Sequence, residues 1–342
     1  MAAVTLVTGA TGMVGHSIVH ELLRRGRRVR VLVRSPQRAA GVLPAGCEFA
    51  EGDITDADAV LAAAEGCETI YHAAGLPEQW LRDPSVFDTV NAGGTLNAIA
   101  AARAVGVRRF MYTSTIDVFE MSPGREFDES RLATEPKHTH YERSKQDADR
   151  LVQRAIDEGL PATFLHPSGV YGPGPTSSPG LTRAMAMIAR GEVPLLLPGA
   201  VPVVYVDDIG LGHVLAEEHG AVGERFILSE SSHDLADFAR AVGSAAGRPK
   251  VPPTLPLWCA RVFAAVSEVI SSVTTRPPIV ARGQVEFLQQ HARPNARRAR
   301  ERLGWRPVPF EQGLDRTLKW LRELGELPTK SRSTQSVGER VG

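Results

Sequence analysis

Short apolar runs and stretches of helical period alternate along the first half of the chain. Val4–Val7 reads as a strand and is closed by Thr8-Gly9-Ala10-Thr11-Gly12-Met13-Val14-Gly15. Ile18, Val19, Leu22 and Leu23 then recur at helical spacing until Gly26 stops the helix. Further strands are predicted at Val29–Val33, Cys47–Gly52, Glu68–His72, Arg109–Tyr112 and Ala162–His166. Helices are predicted between them at Asp58–Ala64, at the alanine-rich Val90–Val105 and at roughly Tyr141–Glu158. Parallel neighbours need a crossover, and here each crossover is helical. The order therefore predicts an α/β fold, a Rossmann-type doubly wound parallel sheet with helices on both faces.

Beyond Tyr171 the alternation breaks at Gly172-Pro173-Gly174-Pro175 and Ser177-Ser178-Pro179, and the remainder mixes short strands, helices and prolines. This predicts a dinucleotide-binding domain over residues 1–171 and 203–229. In that division Val203-Val204-Tyr205-Val206 and the helix after Asp208 return to the sheet domain. A smaller, discontinuous α+β substrate-binding lobe is predicted over 172–202 and 230–328. The polar, aperiodic stretch 329–342 reads as a disordered tail.

Composition narrows the function. Among 342 residues, 39 Lys and Arg balance 39 Asp and Glu, so the net charge is zero and the basic excess of a nucleic-acid binder is missing. The arginines between Arg293 and Arg306 read as a solvated face. The three cysteines, Cys47, Cys67 and Cys259, have neither metal-ligand nor CxxC spacing, so no metal site is expected. Met1-Ala2-Ala3-Val4-Thr5 lacks the basic region of a signal peptide. The greasy stretch Leu255–Val273 is interrupted by Arg261 and Glu268 and falls short of a membrane span. A cytoplasmic protein is expected.

Thr8-Gly9-x-x-Gly12-x-x-Gly15 lies between the first strand and the first helix. Gly9 allows a tight turn, Gly12 lets backbone approach a pyrophosphate, and Gly15 lets helix and strand pack closely. Where an NAD site carries an acidic residue after the second strand, this chain has Val33 followed by Arg34, with Arg38 nearby. A guanidinium without a carboxylate favours the 2′-phosphate of NADP over NAD. Asp53 follows the third strand and reads either as an acceptor for the adenine amino group or as a helix-capping turn.

Tyr141-Glu142-Arg143-Ser144-Lys145 puts a phenol and an ammonium at i and i+4, on one helix face. A nearby cation favours phenolate, so Tyr141 is a candidate proton donor to a carbonyl or acceptor from an alcohol. Thr113-Ser114-Thr115 ends the fifth strand and offers a hydroxyl to the same oxygen. Glycine turn, strand-end hydroxyl and Tyr/Lys helix in this order are the informative combination.

These pieces resemble the extended short-chain dehydrogenase/reductase family. The matching segments are TGATGMVG (8–15), GDIT (52–55), HAAG (72–75), NAGGTLN (91–97), YTST (112–115), YERSK (141–145), HPSGVYGPG (166–174) and VYVDDIG (204–210). The resemblance implies Thr115 as the substrate-oxygen hydroxyl, Tyr141 as the acid/base and Lys145 as the ribose-binding residue beside it. It further implies a dinucleotide held by Gly9, Thr11, Gly12, Met13, Val14, Gly15, Arg34, Asp53, Ile54, Ala73, Ala74 and Asn91, with Pro167 and Ser168 near the nicotinamide. A homodimer is implied as well. Two departures stand out: His166 replaces the arginine that often precedes this proline, and Val33 replaces the acidic residue of NAD users.

The family includes reductases, epimerases and dehydratases, so the fold alone does not choose. Dehydratases need an Asp-Glu pair after the threonine, whereas Thr115 is followed by Ile116 and Asp117. A nucleotide-sugar epimerase needs phosphate-binding cations, for which Arg183 and Arg282 are candidates. A non-catalytic dinucleotide sensor is the third reading, and the Tyr141/Lys145 pair speaks against it. Tyr112–Val118 and Gly304-Trp305-Arg306-Pro307 resemble the 3β-hydroxysteroid dehydrogenase and dihydroflavonol reductase branches. That implies NAD(P)-dependent exchange between a ketone and a secondary alcohol on a lipophilic, cyclic small molecule. The segment from Leu257 to Ile270 is amphipathic at helical spacing. It reads as a cover for a greasy pocket, a peripheral membrane contact, or a helix packed on the core.

Overall fold

The computed structural model describes residues 3–77, 80–175, 180–274 and 276–328. The expected tail, 329–342, lies outside them. The elements run β1 (Val4–Thr8), α1 (Met13–Arg24), β2 (Arg28–Val33), α2 (Pro36–Ala40), β3 (Cys47–Glu51), α3 (Ala57–Ala64) and β4 (Cys67–His72). Next come α4 (Ser85–Phe87), a π-helical segment (Asp88–Gly93), α5 (Gly94–Val105), β5 (Arg109–Thr113), a 3-10 turn (Ile116–Val118), β6 (Glu126–Phe127) and α6 (His140–Asp157). Then follow β7 (Ala162–Pro167), β8 (Gly169–Tyr171), α7 (Leu181–Arg190), β9 (Ala200–Tyr205), α8 (Val206–His219), β10 (Arg225–Leu228), β11 (Ser231–Asp234) and α9 (Leu235–Ala245). The chain ends with α10 (Leu257–Val273), α11 (Arg282–Gln289), β12 (Arg293–Pro294), α12 (Arg297–Arg302) and α13 (Phe310–Glu323).

Seven strands form one sheet in the order β10-β7-β5-β4-β1-β2-β3. Every neighbouring pair in it is parallel, which requires a crossover for each step. The expected doubly wound fold is therefore present. Strand order reverses between β1 and β4, the place where such sheets open a crevice at their C-terminal edge. One apolar layer, with Ile18, Val31, Ile209 and Phe226, packs on one face. A second, with Leu6, Ile70, Ala98 and Phe164, packs on the other. Both faces are covered, so β1 is buried at all five positions and reads as a continuous run rather than an alternation.

The strand at 203–206 departs from expectation. β9 does not rejoin the main sheet; it pairs antiparallel with β11 and parallel with β8 in a separate three-stranded sheet. Its residues are all buried, as a main-sheet strand's would be, so its apolar run carries no mark of which sheet it joins. The helix that follows, α8, does pack beside α1 on the main sheet, and β10 supplies the edge strand next to β7. Around the small sheet, Tyr171, Tyr205, Phe238, Phe310 and Leu314 build a separate core. Trp305 pins the C-terminal part to α8: its ring is fully buried and its Nε1 donates to the Asp208 carbonyl at 2.9 Å.

The helix predicted at 90–105 starts earlier, at Ser85, and winds as a π segment over Asp88–Gly93 before becoming regular. Such a segment inserts an extra residue per turn and often marks a functional site. Here it carries Asn91 inward.

The helix α10 also departs from simple expectation. Its buried stripe is small, Ala260, Ala264, Ser267 and Ser271, while its large apolar side chains face out. Trp258 is 70% exposed, Val269 65% and Val273 83%, with Val262, Phe263, Val266 and Ile270 between them. No helix among the described residues is long and apolar enough to cross a membrane.

Candidate active site

The glycine turn at the C-terminal end of β1 is built by sterics. Gly9 has φ +71°, and a Cβ there would sit 2.6 Å from the Ala73 carbonyl. A Cβ on Gly15 would lie 2.2 Å from the Gly9 oxygen, so only a hydrogen lets α1 approach the turn. Gly12 is the N-cap of α1 and makes no side-chain cap hydrogen bond. The first amides of that helix, at Met13 and Val14, therefore point toward the open side with the helix dipole behind them. Thr11 and Gly12 are exposed there. Ala73 and Ala74 lie against this turn, their amides donating to the Thr8 carbonyl and hydroxyl at 3.3 Å each.

Behind the turn His72 is fully buried between Thr8 Oγ1 at 2.8 Å and Thr95 Oγ1 at 3.0 Å. Thr95 donates its own proton to the Asn91 carbonyl, so His72 Nε2 donates to Thr95 and Nδ1 accepts from Thr8. Burial first and the Lys145 charge second hold this imidazole down at about 3, and it stays neutral.

Asn91 braces the loop over the crevice. Its Oδ1 accepts from the Leu76 amide at 2.7 Å, and its Nδ2 donates to Ser144 Oγ on α6 at 2.9 Å. The π segment thus ties the loop after β4 to the Tyr/Lys helix. On the outer rim, Asp53 Oδ1 accepts from the Thr55 amide and hydroxyl at 2.9 and 2.8 Å, an Asx turn ahead of α3, whose N-cap is Asp56. Its other oxygen is 3.9 Å from Arg34 Nε, and Arg34 is 84% exposed. Ile54 is buried under Gly94, where a Cβ would meet it at 2.9 Å.

The other side of the crevice comes from β5, β7 and α6. Thr139 caps α6 reciprocally with Glu142: the Thr139 hydroxyl accepts from the Glu142 amide and Glu142 Oε2 accepts from the Thr139 amide. A cap of this kind is worth about 1 kcal/mol and fixes where the helix begins. Tyr141 follows immediately, half-buried, its ring 6.3 Å from that of Phe87 in an edge-on arrangement. One turn on, the buried Lys145 Nζ donates to the Thr113 carbonyl at 2.9 Å and lies 4.9 Å from the centre of the Tyr112 ring. Burial pushes the Lys145 ammonium down to about 8, with the Asp149 and Asp117 carboxyls pulling it back up.

Thr115 ends the strand extension beyond β5. Its Oγ1 donates to Asp117 Oδ2 at 2.8 Å and accepts from the Asp117 amide at 3.3 Å. Pro167 ends β7, and the next residue, Ser168, has a buried hydroxyl with no partner among the described residues. An orphaned hydroxyl at that edge and a glycine cradle that any Cβ would fill both fit a dinucleotide lying across the β1/β4 switch.

Sequence reading missed the layer beneath Thr115. His166 is fully buried, with Nδ1 donating to the Thr115 carbonyl at 3.1 Å. Desolvation, then the Arg225 charge, hold it well below the ordinary histidine range. The cation absent at position 166 is nevertheless nearby: Arg225 reaches in from β10, pairs with Asp149 Oδ1 at 2.7 Å and stacks 3.7 Å from the Phe164 ring centre. Asp149 Oδ2 in turn accepts from Ser114 Oγ at 2.8 Å. Asp149 had a signal, since it continues the i, i+4 series of Tyr141 and Lys145. Arg225 had none, because only the fold brings it there.

A model of the NAD dependent epimerase/dehydratase family matches residues 5–228. The chain belongs to this family. Its fold and its glycine turn are those of the extended short-chain dehydrogenases/reductases, and the protein is an enzyme of that NAD-dependent family. It is 33% identical over 266 residues to a 3 beta-hydroxysteroid dehydrogenase/Delta 5-->4-isomerase of Mycobacterium tuberculosis, covering 71% of this chain and 69% of that one. A Stigmatella aurantiaca ketoreductase acting on 4-hydroxy-2-methyl-3-oxo-4-farnesyl-3,4-dihydroquinoline-1-oxide is 27% identical, covering 91% of this chain and 94% of its own. Among solved structures, the UDP-glucose 4-epimerase of Thermus thermophilus, in complex with NAD, is 25% identical with a TM-score of 0.73, covering 93% and 99% of the two chains.

Proposed function

We propose that this member of the family interconverts a ketone and a secondary alcohol on a lipophilic, cyclic small molecule, with NAD(P) as redox partner and Tyr141 as acid/base. The observation that supports the reading is Lys145, one turn from Tyr141 on α6, with its Nζ held by the Thr113 carbonyl at 2.9 Å, two residues before Thr115. Bound NAD(P) supplies or takes up the hydride. The chain does the rest. Gly9, Gly12 and Gly15 let the backbone close on the pyrophosphate, and the first turn of α1 complements its charge. Tyr141 gives a proton to the substrate oxygen in reduction and takes it in oxidation. Lys145, fixed by the Thr113 carbonyl, keeps a positive charge on the Tyr141 face at neutral pH. Thr115 orients the substrate oxygen. We take the substrate to lie between the main sheet and the lobe around the small sheet.

Arg34 supports NADP as the preferred form. It is exposed at the end of β2, and its contact with Asp53 is long enough for a 2′-phosphate to displace it. The lipophilic substrate class is supported by the ketoreductase and hydroxysteroid relatives. The epimerase reading draws on the fold of its neighbours; of its two candidate diphosphate cations, Arg282 is held by Glu268 at 2.6 Å, while Arg183 on α7 is exposed. The test is a titration with NADH and NADPH, then a panel of steroid, flavonoid, quinoline and sugar-nucleotide ketones. Cofactor oxidation with a lipophilic ring ketone supports the reading. UDP-sugar interconversion without net cofactor turnover contradicts it.

A further inference from the structure

The Thr115 hydroxyl has one proton, and in this structure that proton is already committed. It goes to Asp117 Oδ2 at 2.8 Å, while one lone pair is taken by the Asp117 amide at 3.3 Å. A hydroxyl in that state has no donor left for a ketone; it has only a lone pair for an alcohol. Asp117 itself is buried, and its Oδ1 has no partner among the described residues. A buried carboxylate oxygen left unpaired is costly, and a proton on the acid relieves that cost.

We propose that Asp117 is a positioning residue that sets the direction of the Thr115 hydroxyl. As a neutral acid it donates to Thr115 Oγ1 and frees the hydroxyl proton for the substrate oxygen, whose own proton is exchanged with Tyr141; as a carboxylate it draws the Thr115 proton away and leaves the substrate oxygen without that donor. The bookkeeping closes in the neutral state: one donor and two acceptors at Thr115, each with a partner. Reduction and oxidation share one transition state, so both need the neutral acid.

The surroundings place this switch in the working range. Burial, then the Glu142 carboxylate, pushes Asp117 up to about 7, against the Thr115 hydrogen bond and the Lys137 and Lys145 charges. Those are the charged groups that face it: Glu142 and Lys145 from α6, and Lys137 from the segment before α6, whose Nζ is held by the Phe119 carbonyl at 2.7 Å. The inference rests on Thr115 as the substrate-oxygen hydroxyl.

The experiment is a pair of pH profiles of kcat/KM, ketone reduction and alcohol oxidation, for the unaltered enzyme and Asp117→Asn. In the unaltered enzyme both directions carry a limb that falls about tenfold per pH unit above an inflection near 7. A carboxamide donates to Thr115 at every pH, so Asp117→Asn loses that limb in both directions and keeps the one that belongs to Lys145, moved below 8 because a carboxyl that raises it is gone. A second readout uses the protein without cofactor. Asp117 keeps its proton to about 7 when folded but ionises near the ordinary 3.8 when unfolded. The stability that this proton contributes therefore falls as pH rises from about 4 to about 7, and urea midpoints of the unaltered protein fall relative to Asp117→Asn across that window. An Asp117→Asn enzyme with the inflections intact, or a midpoint difference that does not vary with pH, overturns the proposal. Thr115→Val separates this from the underlying reading. If Thr115→Val turns over normally, both fall; if it is impaired while Asp117→Asn changes neither profile, only the switch falls.

Discussion

Two helices of similar length, α6 and α10, each have an apolar stripe, and the structure uses the stripes in opposite ways. α6 turns Ala148, Val152 and Ala155 to the sheet and lays Lys145 and Asp149 along the same buried face, each with partners. α10 turns its small residues inward and presents Trp258, Phe263, Val266, Ile270 and Val273 outward. The difference teaches that an apolar stripe does not say which way it faces when a stripe of alanine and serine competes for the interior. Small side chains let α10 approach Val285 of α11 closely, and that contact decides the orientation.

The comparison is broken most severely by a matched pair of charges. Val152→Asp on α6 buries a carboxylate without a partner and is expected to cost more than about 4 kcal/mol, leaving little folded protein. Val266→Asp on α10 is expected to stay within about 0.5 kcal/mol of the parent by urea denaturation. A comparable loss from both substitutions would mean that the outer face of α10 is covered.

Gly15→Val sharpens the same contrast at the cofactor end of α1. Its side chain has no room against the Gly9 carbonyl, so NADPH affinity by fluorescence titration is expected to fall at least about 100-fold, an opening of the turn worth about 3 kcal/mol. Unchanged affinity would remove the turn from the binding site. A smaller effect is expected from Arg34→Ala. It leaves folding intact and weakens NADPH by about tenfold while sparing NADH, the loss of one charge-assisted phosphate contact. Equal loss for both dinucleotides would assign Arg34 no part in telling them apart.

Legibility in the sequence followed how local each constraint was. The β1–α1 turn was legible because three glycines at fixed spacing have one steric explanation. That Tyr141 and Lys145 share one helix and that Thr115 follows a strand was legible because helix period and strand end are local facts. β9 was not, since a fully buried strand looks the same in either sheet. Asp117 was visible in the chain only as the residue after Ile116, the isoleucine that breaks the dehydratase pattern; its hold on the Thr115 hydroxyl needs the 3-10 turn that folds it back. Arg225 arrives from a strand 59 positions after the His166 it approaches, and no pattern links the two.

The central claim is that the Tyr141 phenol moves the proton. Tyr141→Phe keeps the ring against Phe87 and removes only the hydroxyl. With an accepted ketone, kcat is expected to fall roughly 100- to 10,000-fold while NADPH affinity changes less than about threefold. Turnover within about tenfold of the parent, with affinity unchanged, would show that another group carries the proton.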